Sequence, residues 1–346
     1  MLAAIIVKQK EPLELVNLQI TDPLSYGQVL VRVHYSGICG SQLGEIEGVK
    51  GEDPYLPHCL GHEGAGLVEE IGPGVKNVKV GDHVVLHWRP GQGIQAEAPR
   101  YQWGNKTVHA GWVTSFNEQA IVSENRLTVI PKDLNLEEAA LLGCAVTTGL
   151  GVISNNAKVR IGESILVIGA GGVGLNVIQG ARMASAYPII AVDRCHHKLS
   201  LAKELGATHL IHTGEQNLSE EVQRLLQGVG ADIVVENTGK IELMEQAYEL
   251  CSNKGRTIFV GVPPQKEKPS FRSLPLHFGK SISGSHGGET EPTTEIPRYV
   301  RLMQSGKLHL SPLITDRIPL HDVNIALDKM RQSQIRGRCV LKISED

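Results

Sequence analysis

Through the first third of the chain, apolar residues come in short runs at strand spacing, each closed by glycine or a turn pair. Residues 28–33, 65–68 and 83–86 have this form, and Gly81-Asp82 is a turn signal just before the third. The opening stretch Met1-Leu2-Ala3-Ala4-Ile5-Ile6-Val7-Lys8 reads as a first strand, since it lacks the basic region and apolar core of a signal peptide. This is an all-β style of segment. Residues 137–142 then read as a helix running toward Cys144. Beyond residue 145 the pattern alternates. Strands are predicted at 164–168, 188–193, 232–236 and 257–260, with helices at 175–184, 216–226 and 243–251 between them. Such alternation predicts a parallel, doubly wound sheet, which ends around residues 281–285. The remainder holds two helical patterns, 296–304 and 323–331, and a closing strand, 338–343. The fold class is therefore α/β, with a β-rich domain beside a parallel-sheet domain.

Length agrees, because 346 residues exceed what one hydrophobic core usually organises. No apolar run approaches membrane-spanning length. A formal net charge of −3 without a basic cluster argues against nucleic acid as a partner. The six cysteines are scattered without disulfide spacing, which fits a reducing cytoplasm.

Three of the possible metal ligands stand in glycine-rich settings: Gly37-Ile38-Cys39-Gly40-Ser41, Gly61-His62-Glu63-Gly64-Ala65-Gly66 and Leu142-Gly143-Cys144-Ala145-Val146-Thr147-Thr148-Gly149. Two cysteines and a histidine leave a tetrahedral zinc one position short, and a catalytic zinc needs that open position. Taken singly, each of the three reads at least as well as a small buried core residue; the shared glycine setting favours the metal. The other histidines, His196, His197 and His212 among them, show no ligand spacing and read as surface or core residues.

The strand at 164–168 leads into Gly169-Ala170-Gly171-Gly172-Val173-Gly174, then a helix, then a second strand closing on Asp193. Alone, a G-x-G-x-x-G is weak. Strand, glycine turn, helix, strand and an acidic residue about 20 positions on form the dinucleotide-binding context. The glycines let the backbone approach a pyrophosphate, which rests on the helix N-terminus. Asp193 is expected to accept hydrogen bonds from the adenosine ribose and to repel a 2′-phosphate, so NAD is expected over NADP. Arg194 beside it is the one dissent, and Lys198 is a further cofactor-binding candidate.

On these motifs the chain resembles the zinc-containing medium-chain alcohol dehydrogenases over nearly its whole length. Gly61-His62-Glu63-x-x-Gly66, followed by Gly72 and Val75, fits that family's zinc signature, and a Cys2His set is the one known for alcohol dehydrogenase. The resemblance implies a GroES-like catalytic domain of residues 1–145 and 287–346 and a Rossmann NAD-binding domain of residues 146–286. It also implies a small-molecule alcohol or carbonyl substrate, NAD and zinc as cofactors, and a homodimer or homotetramer. By the same resemblance Ser41 takes the substrate hydroxyl proton and Glu63 is the carboxylate behind the metal histidine. Thr148, Val260 and Val262 lie along the nicotinamide, and Arg336 reaches the pyrophosphate. Trp88 either lines the substrate pocket or is a packing tryptophan.

Three departures stand out. Gln42 replaces the aspartate that usually orients the zinc histidine. Gly44 replaces a histidine of the classical proton relay, leaving water, the ribose, His87 or His34 to carry the proton. The stretch from Arg89 to Gly111 holds none of the four cysteines of a structural zinc lobe, so one zinc per chain is expected. Two substrate classes stay open. Aromatic or aliphatic alcohols suit Trp88; polyols, sugars or cyclitols suit the missing lobe and the polar His87 and Arg89 that flank Trp88. A zinc-free enone or quinone reductase is disfavoured by the three ligands.

Overall fold

The computed structural model describes residues 1–344, folded as two compact units. The first takes residues 1–145 and the chain from Glu291 onward, and the second takes Val146–Thr290. The chain leaves the second unit at Thr290, a few residues later than the sequence pattern suggests. The Gly287–Glu289 turn is tied to that unit by Asn155 Nδ2 donating to Gly288 O at 2.9 Å and by Thr290 Oγ1 donating to Thr147 O at 2.8 Å.

In the first unit the main sheet runs in the order Leu127–Ile130, His83–His87, Glu63–Ile71, Gln28–Gly37, Arg338–Lys342, Ile314–Pro319, and Gln119–Ser123 also pairs with Gln28–Gly37. The C-terminal strand is therefore a central one, antiparallel to Gln28–Gly37 with Val340 opposite Gly37. The strands extend beyond their apolar runs: Gln28–Gly37 continues to the residue two before Cys39, and Glu63–Ile71 starts directly after His62. Val29, Val31, Val33, Val68, Val84, Leu86 and Leu341 bury one apolar core between these elements.

The cysteine-free stretch after Arg89, which the sequence leaves unread, runs without regular structure to about residue 99 and then forms a hairpin. Strands Arg100–Trp103 and Lys106–His109 pair antiparallel and join a second sheet with His58–Cys59, Leu2–Ile6 and Glu14–Asn17. Its anchor is Tyr101, fully buried, whose hydroxyl accepts the Ile121 N–H at 2.9 Å. This buried aromatic side chain ties the hairpin to the strand Gln119–Ser123.

The second unit is a six-stranded parallel sheet in the order His209–His212, Ile189–Asp193, Ile165–Ile168, Ala231–Glu236, Cys251–Phe259, Ser281–Gly284. Ile165–Ile168 is buried on both faces, as expected of a strand covered by helices on either side. The chain steps outward from it to His209–His212 and then returns to its other flank. The glycine turn accordingly sits at the point where the strand order reverses. Of the predicted helices, the one at 216–226 is Leu218–Leu225, because the Asn217 side chain caps it by accepting Glu220 N–H at 3.2 Å. No single helix among the described residues is long and apolar enough to cross a membrane.

Candidate active site and metal centre

Cys39 is the N-cap of the short helix Gly40–Ile46, His62 immediately precedes the strand Glu63–Ile71, and Cys144 follows the turn Leu141–Gly143. The fold brings their ligand atoms within 4.8 Å of one another. Close approach explains the glycines. A Cβ on Gly37 would lie 2.6 Å from Glu63 Oε1, and one on Gly143 would lie 2.3 Å from Leu86 O and 2.8 Å from Glu63 Cα. Both are well inside van der Waals contact, so alanine at either would push the ligand loops apart.

The electrostatics of this cluster suit a divalent cation. A hydrogen bond from Cys144 holds the Cys39 thiol well below its ordinary value, against the upward push of burial and with help from His62 and Arg338. Glu63 is fully buried and meets Arg338, itself 5% exposed, in an ion pair; its Oε2 accepts Ala145 N–H at 3.1 Å. Ligand thiols bind metals as thiolates. With Glu63 ionised, the pocket then holds three negative charges and the single positive charge of Arg338. The remaining two match Zn2+, and the two-sulfur, one-nitrogen donor set is one that zinc takes.

Gln42, buried in the same helix, bridges two of the ligands. Its Oε1 accepts Cys39 N–H at 2.9 Å and its Nε2 lies 2.6 Å from His62 Nδ1. In that amide orientation Nδ1 accepts, which leaves the ring proton on Nε2. Turned over, the amide presents its oxygen to Nδ1–H and frees Nε2 for a metal; amide orientation and tautomer go together. Ser41 Oγ, buried next to Gln42, has no hydrogen-bond partner. A hydroxyl left in that state beside the metal ligands is available to a substrate oxygen.

In the second unit the dinucleotide elements have their expected local form. Gly169 adopts φ +93°, Gly171 caps the helix Gly172–Met183, and a Cβ on Gly174 would lie 2.0 Å from Gly169 O. Val173 is in the first turn of that helix. Asp193 closes its strand and braces the turn, with Oδ2 accepting Ala170 N–H at 2.9 Å and Oδ1 accepting Cys195 N–H at 3.0 Å. Arg194 is exposed and Lys198 half-buried just beyond. Val260 N–H bonds Glu236 O at 2.8 Å, and a Cβ on Gly261 would lie 2.0 Å from Gly239 N, so Val260 and Val262 stand on a rigid turn with Val262 exposed. Thr148 is buried in the helix Ala145–Gly151.

The comparisons with known proteins agree along the chain. Residues 25–132 match the family described as alcohol dehydrogenase GroES-like domain, and residues 172–305 match zinc-binding dehydrogenase. An S-(hydroxymethyl)glutathione dehydrogenase of Synechocystis sp. is 32% identical, over 96% of this chain and 97% of that one. The chain belongs to the zinc-containing alcohol dehydrogenases. Among solved structures, an alcohol dehydrogenase zinc-binding domain protein from Burkholderia ambifaria superposes with a TM-score of 0.90 at 30% identity, covering 99% of both chains. Benzyl alcohol dehydrogenase from Acinetobacter calcoaceticus gives 0.89 at 31%, again over 99% of each.

Within this alcohol dehydrogenase, two residues read differently in the structure than in the sequence. Arg338, not singled out from the sequence, is the arginine at the metal ligands; Arg336 lies half-buried ahead of the last strand. Arg338 opens a strand whose next three residues are all buried, and a charged residue entering such a strand signals a buried partner of opposite charge. His87, considered as a proton carrier, has both nitrogens engaged. With Nδ1 donating to Arg89 O at 2.8 Å, Nε2 accepts from Thr128 Oγ1 at 2.9 Å. Burial pushes its imidazole down to about 4. It is a structural histidine. Trp88 is half-buried, and its backbone N–H donates to Gly143 O in the ligand loop at 3.4 Å.

Proposed function

We propose that this NAD- and zinc-dependent alcohol dehydrogenase acts on aromatic or medium-length aliphatic alcohols and the matching aldehydes, rather than on polyols or sugars. The observation that carries this is the pair Trp88 and His87. Trp88 follows the strand that flanks Glu63, and its backbone is bonded to Gly143 O, one residue before Cys144, so the chain carries an aromatic side chain into this stretch. Of the two polar neighbours of Trp88 that favoured a polyol, His87 is fully buried with both nitrogens satisfied within the protein, so it has no group to give a substrate hydroxyl, and the Arg89 guanidinium lies 6.0 Å from the Trp88 ring centroid. The likeness to benzyl alcohol dehydrogenase points the same way.

Cys39, His62 and Cys144 would hold the zinc, which supplies Lewis acidity toward the alcohol oxygen. Gln42 orients His62, Arg338 balances Glu63 and the thiolates, and Ser41 Oγ takes the substrate hydroxyl proton as it passes its own to water or the cofactor ribose. Hydride transfer itself belongs to the nicotinamide. Asp193 supports NAD over NADP, because its carboxylate is held in place by two backbone N–H groups and would repel a 2′-phosphate. A homo-oligomer is supported by the edge strand Ser281–Gly284 beside the exposed Leu274 and Phe278, at 67% and 71% exposure, since apolar side chains beside an open sheet edge invite pairing. Six free cysteines suit a reducing, cytoplasmic setting.

The deciding experiment is a substrate panel followed by NADH formation: benzyl alcohol, cinnamyl alcohol, 1-hexanol, sorbitol, myo-inositol and S-(hydroxymethyl)glutathione. Aromatic and aliphatic alcohols should exceed the polyols in kcat/KM by more than about tenfold, the factor given by 1.4 kcal/mol of transition-state binding. A preference for sorbitol or inositol overturns the assignment, and a preference for S-(hydroxymethyl)glutathione would move it to the activity of the Synechocystis relative.

A further inference from the structure

Three side chains that no sequence spacing joins meet at the outer edge of the parallel sheet. His212 ends the strand His209–His212, in register with Asp193 on the neighbouring strand. His196 opens the helix His196–Leu205, and Glu215 sits in the turn after His212, its N–H bonding His212 O at 3.0 Å. The two imidazoles stack with centroids 3.9 Å apart and planes 6° from parallel. His196 Nε2 lies 2.8 Å from Glu215 Oε1, and His212 Nδ1 lies 3.7 Å from Glu215 Oε2. One ligand atom from each of the three falls within 4.8 Å of the other two.

We propose that His196, His212 and Glu215 form a second, exchangeable metal site in the coenzyme unit, for a late first-row divalent cation such as Zn2+, Ni2+, Co2+ or Cu2+. The donor set selects this class: two imidazoles and one carboxylate suit these ions, whereas Ca2+ and Mg2+ take oxygen ligands. His212 is the fixed member. Its side chain is 13% exposed and its backbone N–H is tied to Gln216 Oε1 at 3.0 Å. Its Nδ1 is buried with no hydrogen-bond partner. Stacking on His196 and sharing a carboxylate leaves that nitrogen unsatisfied, and a cation satisfies it. His196 is the adaptable member, with a side chain 69% exposed. Parallel rings send their lone pairs into parallel planes. Metal–nitrogen bonds of about 2.0–2.1 Å therefore require the His196 ring to tilt inward, a rotation that its exposure permits. Three protein ligands leave coordination positions for water, so the site binds reversibly, unlike the buried thiolate set. Its place beside Asp193 puts it at the adenosine end of the glycine turn rather than at the reacting atoms.

The test uses the full-length, zinc-loaded protein, dialysed free of loosely held ions and titrated calorimetrically with NiCl2 while released zinc is assayed. One nickel per chain should bind without zinc release. The double variant His196→Gln, Glu215→Gln, which changes exposed side chains only, should lose that equivalent and keep its zinc. Three results overturn the site: no added equivalent, nickel uptake matched by zinc release, or an added equivalent that persists with unchanged affinity in the variant.

Discussion

Gln42 Nε2 stands 2.6 Å from His62 Nδ1 while Gln42 Oε1 takes the Cys39 N–H at 2.9 Å; turning the amide over to accept His62 Nδ1–H exchanges the Cys39 bond for the histidine tautomer that binds metal through Nε2. A partner behind a ligating histidine fixes its tautomer, and losing such a partner typically weakens metal binding about 10–100-fold. Gln42→Leu keeps the volume and removes both hydrogen bonds. Zinc affinity, measured by competition with a chromogenic chelator, should fall within that range, and Gln42→Glu should restore it. Unchanged affinity in the leucine variant would remove Gln42 from the metal centre.

Arg338 and Glu63 come from opposite ends of the sequence and pair beside Cys39 in a fully buried setting. Breaking a buried pair by removing one partner commonly costs about 3–5 kcal/mol, because the other charge is left uncompensated. Arg338→Met should destabilise the protein by that order and lower its zinc content. Adding Glu63→Gln should recover part of the loss, as a double-mutant cycle by chemical denaturation would reveal. Additive losses would mean that the pair is not coupled.

Ser41 carries a buried hydroxyl with no partner in the protein. If it takes the substrate proton, Ser41→Ala should lower kcat by about 10²-fold or more, the usual scale for a positioned proton acceptor. The dissociation constant for NAD, followed by protein fluorescence, should stay the same. Gly44 contributes no side chain, and a Cβ there would meet only Val49 at 3.8 Å. The backbone at Gly44 therefore accepts a side chain, and Gly44→His should raise turnover at low pH if it extends the relay.

Asp193 is pinned by Ala170 N–H and Cys195 N–H at 2.9 and 3.0 Å, which leaves its outer lone pairs for the ribose. Asp193→Gly should weaken NAD by about 1–3 kcal/mol, as expected for hydrogen bonds to a charged group, and bring NADP turnover closer to that of NAD. Equal use of both cofactors by the unaltered enzyme would instead assign the choice to Arg194.

His87 makes stability depend on acid. Burial lowers its imidazole from the ordinary 6.5 to about 4 in the folded state. Above the unfolded value both states are neutral and its contribution is complete. As pH falls from 6.5 toward 4 only the unfolded chain takes up the proton, so stability is lost across that window. The linkage amounts to about 2 kcal/mol by pH 5. Urea midpoints at pH 7 and pH 5 should converge more closely in His87→Gln than in the unaltered protein.

Most of the frame was legible in the chain because its signals are local. Strand period, glycine turns and the 3.6-residue helix period are fixed by backbone sterics within a few residues. Gly169 through Gly174 and Asp193 needed nothing more, and the ligand contexts of Cys39, His62 and Cys144 were recognisable because each requires glycine where backbones approach closely. The remaining features were decided by contacts between segments far apart in sequence. Arg338 reaches Glu63 only because the last strand inserts beside Gln28–Gly37. His87 looked available until Thr128, on the neighbouring strand, took its second nitrogen. The hairpin of Arg100–Trp103 with Lys106–His109 is held by Tyr101 and Val108, both buried against Ala3, Ile5 and Ile121, and His196 meets His212 only through the pairing of Ile189–Asp193 with His209–His212. Side chains brought together across a sheet carry no mark of each other in sequence, since the register that joins them is set by the burial of their neighbours.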